Sequence, residues 1–276
     1  MSRRWYRIVI VCLVLVTVLA MMALWFSRLP ALRSMTINRI TSYYVYSGVE
    51  SGHDEKLPVI IFVGHPADSP RRILQFKDKF DEPVLLIWSG LLRNLGHDTP
   101  IEDETVWTTK RQEFIELINL YRSRFNIDTD RVYLTGFSTS GVYAWMLAYD
   151  RPESYTAVVA MSAVSYPPQI QEHIDAGKNV ITVVVRGSQD SMFSRHLEQE
   201  MKTGRIIESY NARSKFVLKE GEGHSEVAKY WLGYLKYVLQ FSKFHNRGNH
   251  PSMAMDSAQK KMTICNNGQE LVNRDP

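Results

Sequence analysis

The chain has 276 residues and a formal net charge of +4, yet its excess of positive charge lies at one end. The first 40 residues hold six arginines and no acidic residue, so the rest of the chain is slightly acidic. This distribution gives no indication of a basic surface for nucleic acid, and we predict no nucleic-acid partner. Cys12 and Cys265 stand in an apolar run and a polar tail, so no internal disulfide is expected. No cysteine–histidine cluster has the spacing of a zinc site.

An uncharged apolar run extends from Ile8 to Phe26, interrupted only by Thr17. As a helix, its nineteen residues would span roughly 28 Å, close to the bilayer core of about 30 Å. The run is also longer than the apolar part of a typical signal peptide. We therefore predict a membrane anchor within residues 1–28, with secretion after cleavage behind Ala20 as the alternative. The arginines before the run indicate an extracytoplasmic folded domain, periplasmic if the cell is bacterial: Arg3, Arg4 and Arg7.

Behind this run, apolar stretches alternate with helical patterns, starting with an antiparallel hairpin over residues 35–46. The apolar stretches predict buried strands over residues 59–63, 84–87, 132–135, 157–161, 179–185 and 215–218. Helical spacing of apolar residues predicts helices over residues 102–124, 142–149 and 226–241. Continuously apolar strands separated by helices are typical of a mostly parallel sheet covered on both faces, an α/β fold. We predict one domain over residues 35–244 and a flexible tail over residues 245–276.

A serine stands at a predicted strand-to-helix turn, in the segment Gly136-Phe137-Ser138-Thr139-Ser140-Gly141. This arrangement is typical of a nucleophile elbow, in which a sharp turn exposes a serine hydroxyl at the end of a strand. Ser138 is therefore the candidate nucleophile of a serine hydrolase.

Two backbone N–H groups are candidates for an oxyanion hole, which stabilises negative charge on the reacting substrate. Thr139 opens the helix behind the nucleophile, where N–H groups point at such a charge. The second donor should come from the loop behind the strand 59–63, which reads Gly64-His65-Pro66-Ala67. Because Pro66 has no N–H, the donor must be His65 or Ala67. Of these two, we predict His65.

A hydrolase of this topology needs an acid and then a histidine further along the chain, each behind a strand. Asp190 follows the predicted strand 179–185, and His224 follows the strand 215–218. Because the carboxyl ends of parallel strands meet at one edge of a sheet, both side chains are expected beside Ser138. His224 would accept the serine proton, and Asp190 would hold the imidazole in the required tautomer.

Other interpretations of these residues stay open. Asp190 could cap a helix that starts near Ser191. Glu220 and Glu222 are rival acids, although both share a loop with the histidine.

Three segments resemble the α/β-hydrolase superfamily and, within it, the polyhydroxybutyrate depolymerase and feruloyl esterase-like group. The lead-in from Arg124 to Ser138 is similar to that group's nucleophile segment, and the loops Arg186 to Asp190 and Gly221 to His224 resemble its acid and histidine loops. The likeness covers roughly Leu57 to Tyr237. It implies an α/β-hydrolase fold and a carboxylic ester hydrolase that uses neither a metal nor an organic cofactor.

The chain departs from this family pattern in three places. Ser140 stands where a glycine is usual, Gly64-His65-Pro66 replaces a His-Gly pair, and Arg186 heads the acid loop in place of a histidine. Three hypotheses stay open. A serine esterase that forms an acyl-enzyme and a serine peptidase of the same fold would use the same triad, and the altered Gly64-His65-Pro66 stretch motivates the third, a non-catalytic binding protein.

The connection between two predicted strands bears on access to the site. Only about eighteen residues separate Met161 from Val180, which leaves room for a short helix near residues 169–176 and for no large lid. The site is therefore expected to be open to a bulky, polymeric or surface-bound ester substrate. The acyl and alcohol groups and the oligomeric state are left open by the sequence.

Overall fold

The computed structural model describes residues 13–19, 21, 32–37, 40–47, 55–64, 69–92, 104–163, 175–191 and 197–242. Its strands are β1 (Arg33–Ile37), β2 (Ile40–Ser47), β3 (Leu57–Phe62), β4 (Val84–Trp88), β5 (Ile127–Phe137), β6 (Ala157–Met161), β7 (Ile181–Gly187) and β8 (Lys215–Lys219). They form an 8-stranded sheet in the spatial order β1-β2-β4-β3-β5-β6-β7-β8. β2 runs antiparallel to both β1 and β4, and the other neighbours are parallel. The predicted mostly parallel sheet behind an antiparallel hairpin is confirmed.

Helices cover both faces of the sheet. They are α1 (Glu104–Arg124), α2 (Thr139–Asp150), α3 (Leu197–Tyr210) and α4 (Trp231–Leu239), with 3₁₀-helices over Pro70–Phe76, Ala176–Asn179 and Glu226–Tyr230. Successive strand side chains enter two separate apolar clusters, which explains why the strands are apolar at nearly every position. One cluster contains residues of α1 and α2, such as Tyr121 and Trp145, and the other contains Phe76 and Trp231.

Some elements differ from the expected boundaries. β5 starts at Ile127, whereas the sequence predicted a strand from residue 132. The prediction missed the first half because that half is only partly buried and carries Asp128 and Asp130. The helix predicted over residues 226–241 begins as a 3₁₀-helix and becomes α-helical at Trp231. Such tight turns are common where α-helices begin.

The predicted anchor and tail lie largely outside the described residues. Of the anchor, residues 13–19 and 21 are described; they are helical, and their side chains are exposed. Within the described ranges, no helix has both the length and the apolar character needed to cross a membrane. Residues 245–276 are outside those ranges, so the domain boundaries stay a prediction.

Buried hydrogen bonds hold the strand that leads to Ser138. The indole N–H of Trp231 donates to Thr135 Oγ1 at 2.6 Å, and the Thr135 hydroxyl donates to the carbonyl of Val159 at 2.8 Å. β5 is thereby tied to α4 on one face and to β6 at its side. The carboxyl end of β5 is fixed within the sheet, and Ser138 directly follows it.

Candidate active site

Ser138 lies between β5 and α2 in a backbone conformation that few serines adopt. Its φ is 56° and its ψ is −129°, which costs on the order of 1–3 kcal/mol for a residue with a side chain. Its N–H donates to the carbonyl of Met161 at the end of β6, at 2.8 Å. A strained, partly exposed serine at a strand-to-helix turn has the geometry of a nucleophile elbow.

Gly136 and Ser140 meet across this turn. A Cβ atom at Gly136 would lie 2.2 Å from the carbonyl oxygen of Ser140, so only glycine fits there. The Ser140 side chain is buried, with 1% exposure, and its hydroxyl has no hydrogen-bond partner among the described residues. The turn therefore accommodates serine at the usual glycine position without a hydrogen bond to stabilise it.

His224 and Asp190 are joined directly. Nδ1 of the imidazole lies 2.8 Å from Asp190 Oδ2, with the carboxylate side chain 1% exposed and the imidazole 20% exposed. A carboxylate that accepts the Nδ1 proton leaves Nε2 as the nitrogen for proton transfer. The imidazole also packs against the ring of Phe137, with 5.2 Å between the centroids. Because Phe137 precedes Ser138, the pair lies beside the elbow.

The structure brings the acid and the histidine to hydrogen-bonding distance. Within the described residues, no hydrogen bond joins the Ser138 hydroxyl to His224. Catalytic hydrogen bonds are often long before substrate binds, so this geometry is compatible with a catalytic role.

The acid loop behind β7 and the histidine loop behind β8 are hydrogen-bonded to each other. The N–H of Ser188 donates to the carbonyl of Lys219 at 3.0 Å, and the N–H of Gln189 donates to the carbonyl of Glu222 at 2.9 Å. The N–H of Gly221 donates to Ser188 Oγ at 2.9 Å. These bonds fix the separation between the carboxylate and the imidazole.

The predicted oxyanion donors differ in what the structure shows of them. Thr139 is the first residue of α2, whose first N–H groups have no partner within the helix. His65 lies outside the described residues, and its role stays a prediction. The preceding Gly64 donates its N–H to Ser89 Oγ at 3.4 Å, and a Cβ on it would lie 2.1 Å from the Trp88 ring. Gly64, at the start of the loop predicted to supply the second oxyanion donor, is therefore held against the end of β4, a contact that no sequence pattern indicates.

The rival acids have other surroundings. Glu222 Oε1 accepts hydrogen bonds from Lys229 Nζ at 2.6 Å and from the Tyr230 hydroxyl at 3.1 Å. The bond from Lys229 holds the pKa of the Glu222 carboxyl below its usual value. Glu220 is exposed. Of the candidate acids, Asp190 is the one whose hydrogen bond to the imidazole the structure shows.

Two side-chain contacts at this edge could not be predicted from the sequence. The Ser162 hydroxyl donates to the carbonyl of His224 at 2.7 Å, across 62 positions of the chain. Arg186 is buried and donates from Nη1 to the carbonyl of Ala163 at 3.0 Å. A departure from the family pattern marks Arg186, whereas a serine behind a strand is too common to be a signal.

The sheet topology, with a strained serine between an interior strand and a helix, defines the α/β-hydrolase fold. The chain belongs to the esterase family, since the family model described as "Putative esterase" matches residues 50–231, more than half of the chain. Among curated proteins, none matches the chain.

Solved structures share this fold at low identity. A "Putative Dienelactone Hydrolase" from Klebsiella pneumoniae subsp. pneumoniae has a TM-score of 0.57 and 17% identity, covering 76% of this chain and 99% of that one. A CE1 ferulic acid esterase from Anaeromyces mucronatus has a TM-score of 0.54 and 14% identity, covering 78% and 91%. An S-formylglutathione hydrolase from Staphylococcus aureus has a TM-score of 0.54 and 12% identity, covering 76% and 95%.

Gly187 is the residue that lets the acid and histidine loops approach. A Cβ at this position would lie 2.1 Å from the carbonyl oxygen of Glu222, a backbone atom that can yield only if the histidine loop moves. We expect Gly187→Ala to lower kcat on an ester at least about tenfold and to cost about 1–3 kcal/mol of unfolding free energy. Steady-state kinetics and thermal unfolding measure the two effects.

The control for this substitution is Gly233→Ala in α4. A Cβ at Gly233 meets nothing within 4 Å, so the change should stabilise the helix by about 0.5–1 kcal/mol and leave kcat unaltered. Equal kcat values for wild type, Gly187→Ala and Gly233→Ala would show that the two loops tolerate separation.

Proposed function

We propose that the protein hydrolyses carboxylic esters, with Ser138 as nucleophile, His224 as general base and Asp190 as the group that orients the imidazole. The observation that carries the proposal is the hydrogen bond between Asp190 and His224 beside the strained Ser138 turn. Membership of the esterase family supports an ester as the substrate.

The chemistry follows from these positions. Ser138 Oγ attacks the ester carbonyl carbon while His224 Nε2 takes the hydroxyl proton. N–H groups at Thr139 and His65 stabilise the oxyanion of the tetrahedral intermediate. Its collapse breaks the bond to the alcohol, which leaves with the proton from the imidazole, and an acyl-enzyme remains. Water, deprotonated by the same imidazole, then releases the carboxylic acid and restores the serine.

A fluorophosphonate probe tests the nucleophile directly, because it reacts with an activated serine whatever the natural substrate is. We expect stoichiometric labelling of the folded protein, lost in His224→Ala since the base no longer activates the hydroxyl. A wild-type protein that neither reacts with the probe nor turns over any ester would overturn the proposal in favour of a non-catalytic binding protein.

A serine peptidase would use the same groups, so substrate choice has to separate the two activities. We expect turnover of p-nitrophenyl esters of graded acyl length and none of aminoacyl p-nitroanilides. The reverse preference would replace the esterase assignment with the peptidase.

We propose that the ester is bulky or polymeric. The connection between β6 and β7 is too short in the sequence for a large lid, and its described part includes the 3₁₀-helix Ala176–Asn179. One structural neighbour is a ferulic acid esterase solved with ferulic acid. Release of acid from a feruloylated or hydroxyalkanoate polymer, compared with p-nitrophenyl acetate at equal ester concentration, tests this proposal; activity confined to the small ester would contradict it.

We also propose that residues 1–28 anchor the domain outside the cytoplasm. The support is the apolar run from Ile8 to Phe26 and the arginines that precede it. Full-length protein should remain with membranes after an alkaline carbonate wash, whereas a form starting at residue 29 should be released. Full-length protein recovered without residues 1–20 would instead indicate a cleaved signal peptide.

A further inference from the structure

The last residue of β6 and the residue directly behind it contact the nucleophile segment and the histidine loop. The carbonyl of Met161 accepts the N–H of Ser138 at 2.8 Å. The next residue, Ser162, donates its hydroxyl to the main-chain carbonyl of His224 at 2.7 Å. Two adjacent residues at the carboxyl end of β6 therefore hold the main chains of the proposed nucleophile and of the proposed base.

Ser162 itself is held rigidly. Its side chain is fully buried, its φ is 45°, and its N–H donates to the carbonyl of Val185 at 2.8 Å. A serine in the left-handed region is strained, and such strain persists only where the surrounding structure enforces it. The following Ala163 is also fixed, because its carbonyl accepts Nη1 of Arg186 at 3.0 Å. The hydroxyl of Ser162 therefore has a defined direction.

We propose that Ser162 is a positioning residue for catalysis, which sets the distance between the imidazole of His224 and the hydroxyl of Ser138. Asp190 holds the imidazole at Nδ1, yet a ring held at one nitrogen still shifts whenever its main chain shifts. The bond from Ser162 to the His224 carbonyl stops that shift. His224 and Ser138 are then both held by neighbouring residues, Ser162 and Met161. This inference rests on the proposed function and adds a residue that touches neither substrate nor reacting atoms.

Two substitutions separate the hydroxyl from the strain. Ser162→Ala removes the hydroxyl and keeps a residue that is strained at φ 45°, whereas Ser162→Gly removes the hydroxyl at a position that glycine tolerates without strain. In both variants we expect kcat for a p-nitrophenyl ester to fall at least tenfold and KM to stay within about twofold, since a misplacement of about 1 Å can lower a rate about 100-fold. The rate of fluorophosphonate labelling should fall in parallel.

Ser42→Ala provides a matched control. Ser42 is also fully buried and donates its hydroxyl to a main-chain carbonyl, that of Met35 at 3.1 Å, but it lies in β2 near the opposite edge of the sheet. Its hydroxyl also lies 2.9 Å from the buried hydroxyl of Tyr121. We expect this variant to lose at least as much thermal stability as Ser162→Ala, because the buried Tyr121 hydroxyl loses this bond as well, and to keep kcat within about twofold. A proton NMR signal from the His224 Nδ1–H should remain sharp in Ser42→Ala and broaden in both Ser162 variants.

The outcomes distinguish this inference from the function on which it rests. If the wild type is active and both Ser162 variants keep its kcat, the positioning role is wrong and the esterase proposal stands. The same holds if Ser42→Ala lowers kcat as much as the Ser162 variants do. A wild type without labelling or turnover overturns the esterase and the positioning role together. A loss of kcat confined to the Ser162 variants supports both.

Discussion

Ser138→Ala is expected to abolish ester hydrolysis and leave the fold intact. The hydroxyl oxygen forms the acyl bond in the proposed mechanism, and removal of such a nucleophile lowers kcat about 10⁶-fold. The fluorophosphonate adduct should map to Ser138 in the wild type and be absent in the variant. The free energy of unfolding should change by no more than about 0.5 kcal/mol, because the side chain is partly exposed. Intact-protein mass spectrometry, kinetics and denaturant unfolding provide these measurements.

Ser140→Ala is the control for this prediction, since it removes a hydroxyl from the first turn of the same helix. That hydroxyl is buried and has no hydrogen-bond partner among the described residues, so its loss should stabilise the protein by about 1 kcal/mol. Labelling should match the wild type. An adduct that persists in Ser138→Ala and disappears in Ser140→Ala would move the nucleophile to the second serine.

The strain at Ser138 gives a second way to test the elbow. Glycine adopts φ 56° without penalty, so Ser138→Gly should be inactive yet at least as stable as Ser138→Ala. If Ser138 is a strained catalytic residue, the glycine variant should gain stability while it loses activity.

The sheet could be predicted from the sequence where its strands are buried on both faces. β6 matches the predicted range of residues 157–161. Its side chains alternate between the two apolar clusters, so every position of the strand is apolar and the sequence shows its full length. The first half of β5 escaped prediction, since Asp128 and Asp130 lie where the strand is only partly buried. The 3₁₀-helix Pro70–Phe76 escaped as well, because it is short and buries only Ile73 and Phe76.

Part of the candidate site could likewise be predicted from the sequence, and part could not. Ser138, Asp190 and His224 could be proposed from local signals, a turn or loop behind each apolar strand. Their catalytic roles stay predictions, although the structure bonds the carboxylate to the imidazole. The contacts of Ser162 and Gly187 with the histidine loop could not be predicted. They join segments distant in the chain, and nothing in the local sequence reports which backbone atoms will lie opposite.

Asp190→Asn is expected to have the second largest effect, a fall of about 10⁴-fold in kcat. The amide has nearly the shape of the carboxylate but can donate a hydrogen bond to Nδ1, which favours the tautomer with its proton on Nε2. That tautomer cannot take the serine proton, so chemistry is lost while KM changes little. The loss should be large because the Asp190 side chain is 1% exposed and water cannot readily replace it beside the imidazole.

Glu222→Gln is the matched control, because it neutralises a carboxylate on the histidine loop itself. Glu222 is bonded to Lys229 and Tyr230, so its loss should disturb the surface of that loop and lower kcat less than about threefold. Kinetics of both variants across pH, with His224→Ala as the baseline for a missing base, would complete the comparison. If Glu222→Gln were the variant that matched the baseline, the acid of the site would be Glu222, and the hydrogen bond between Asp190 and His224 would be structural.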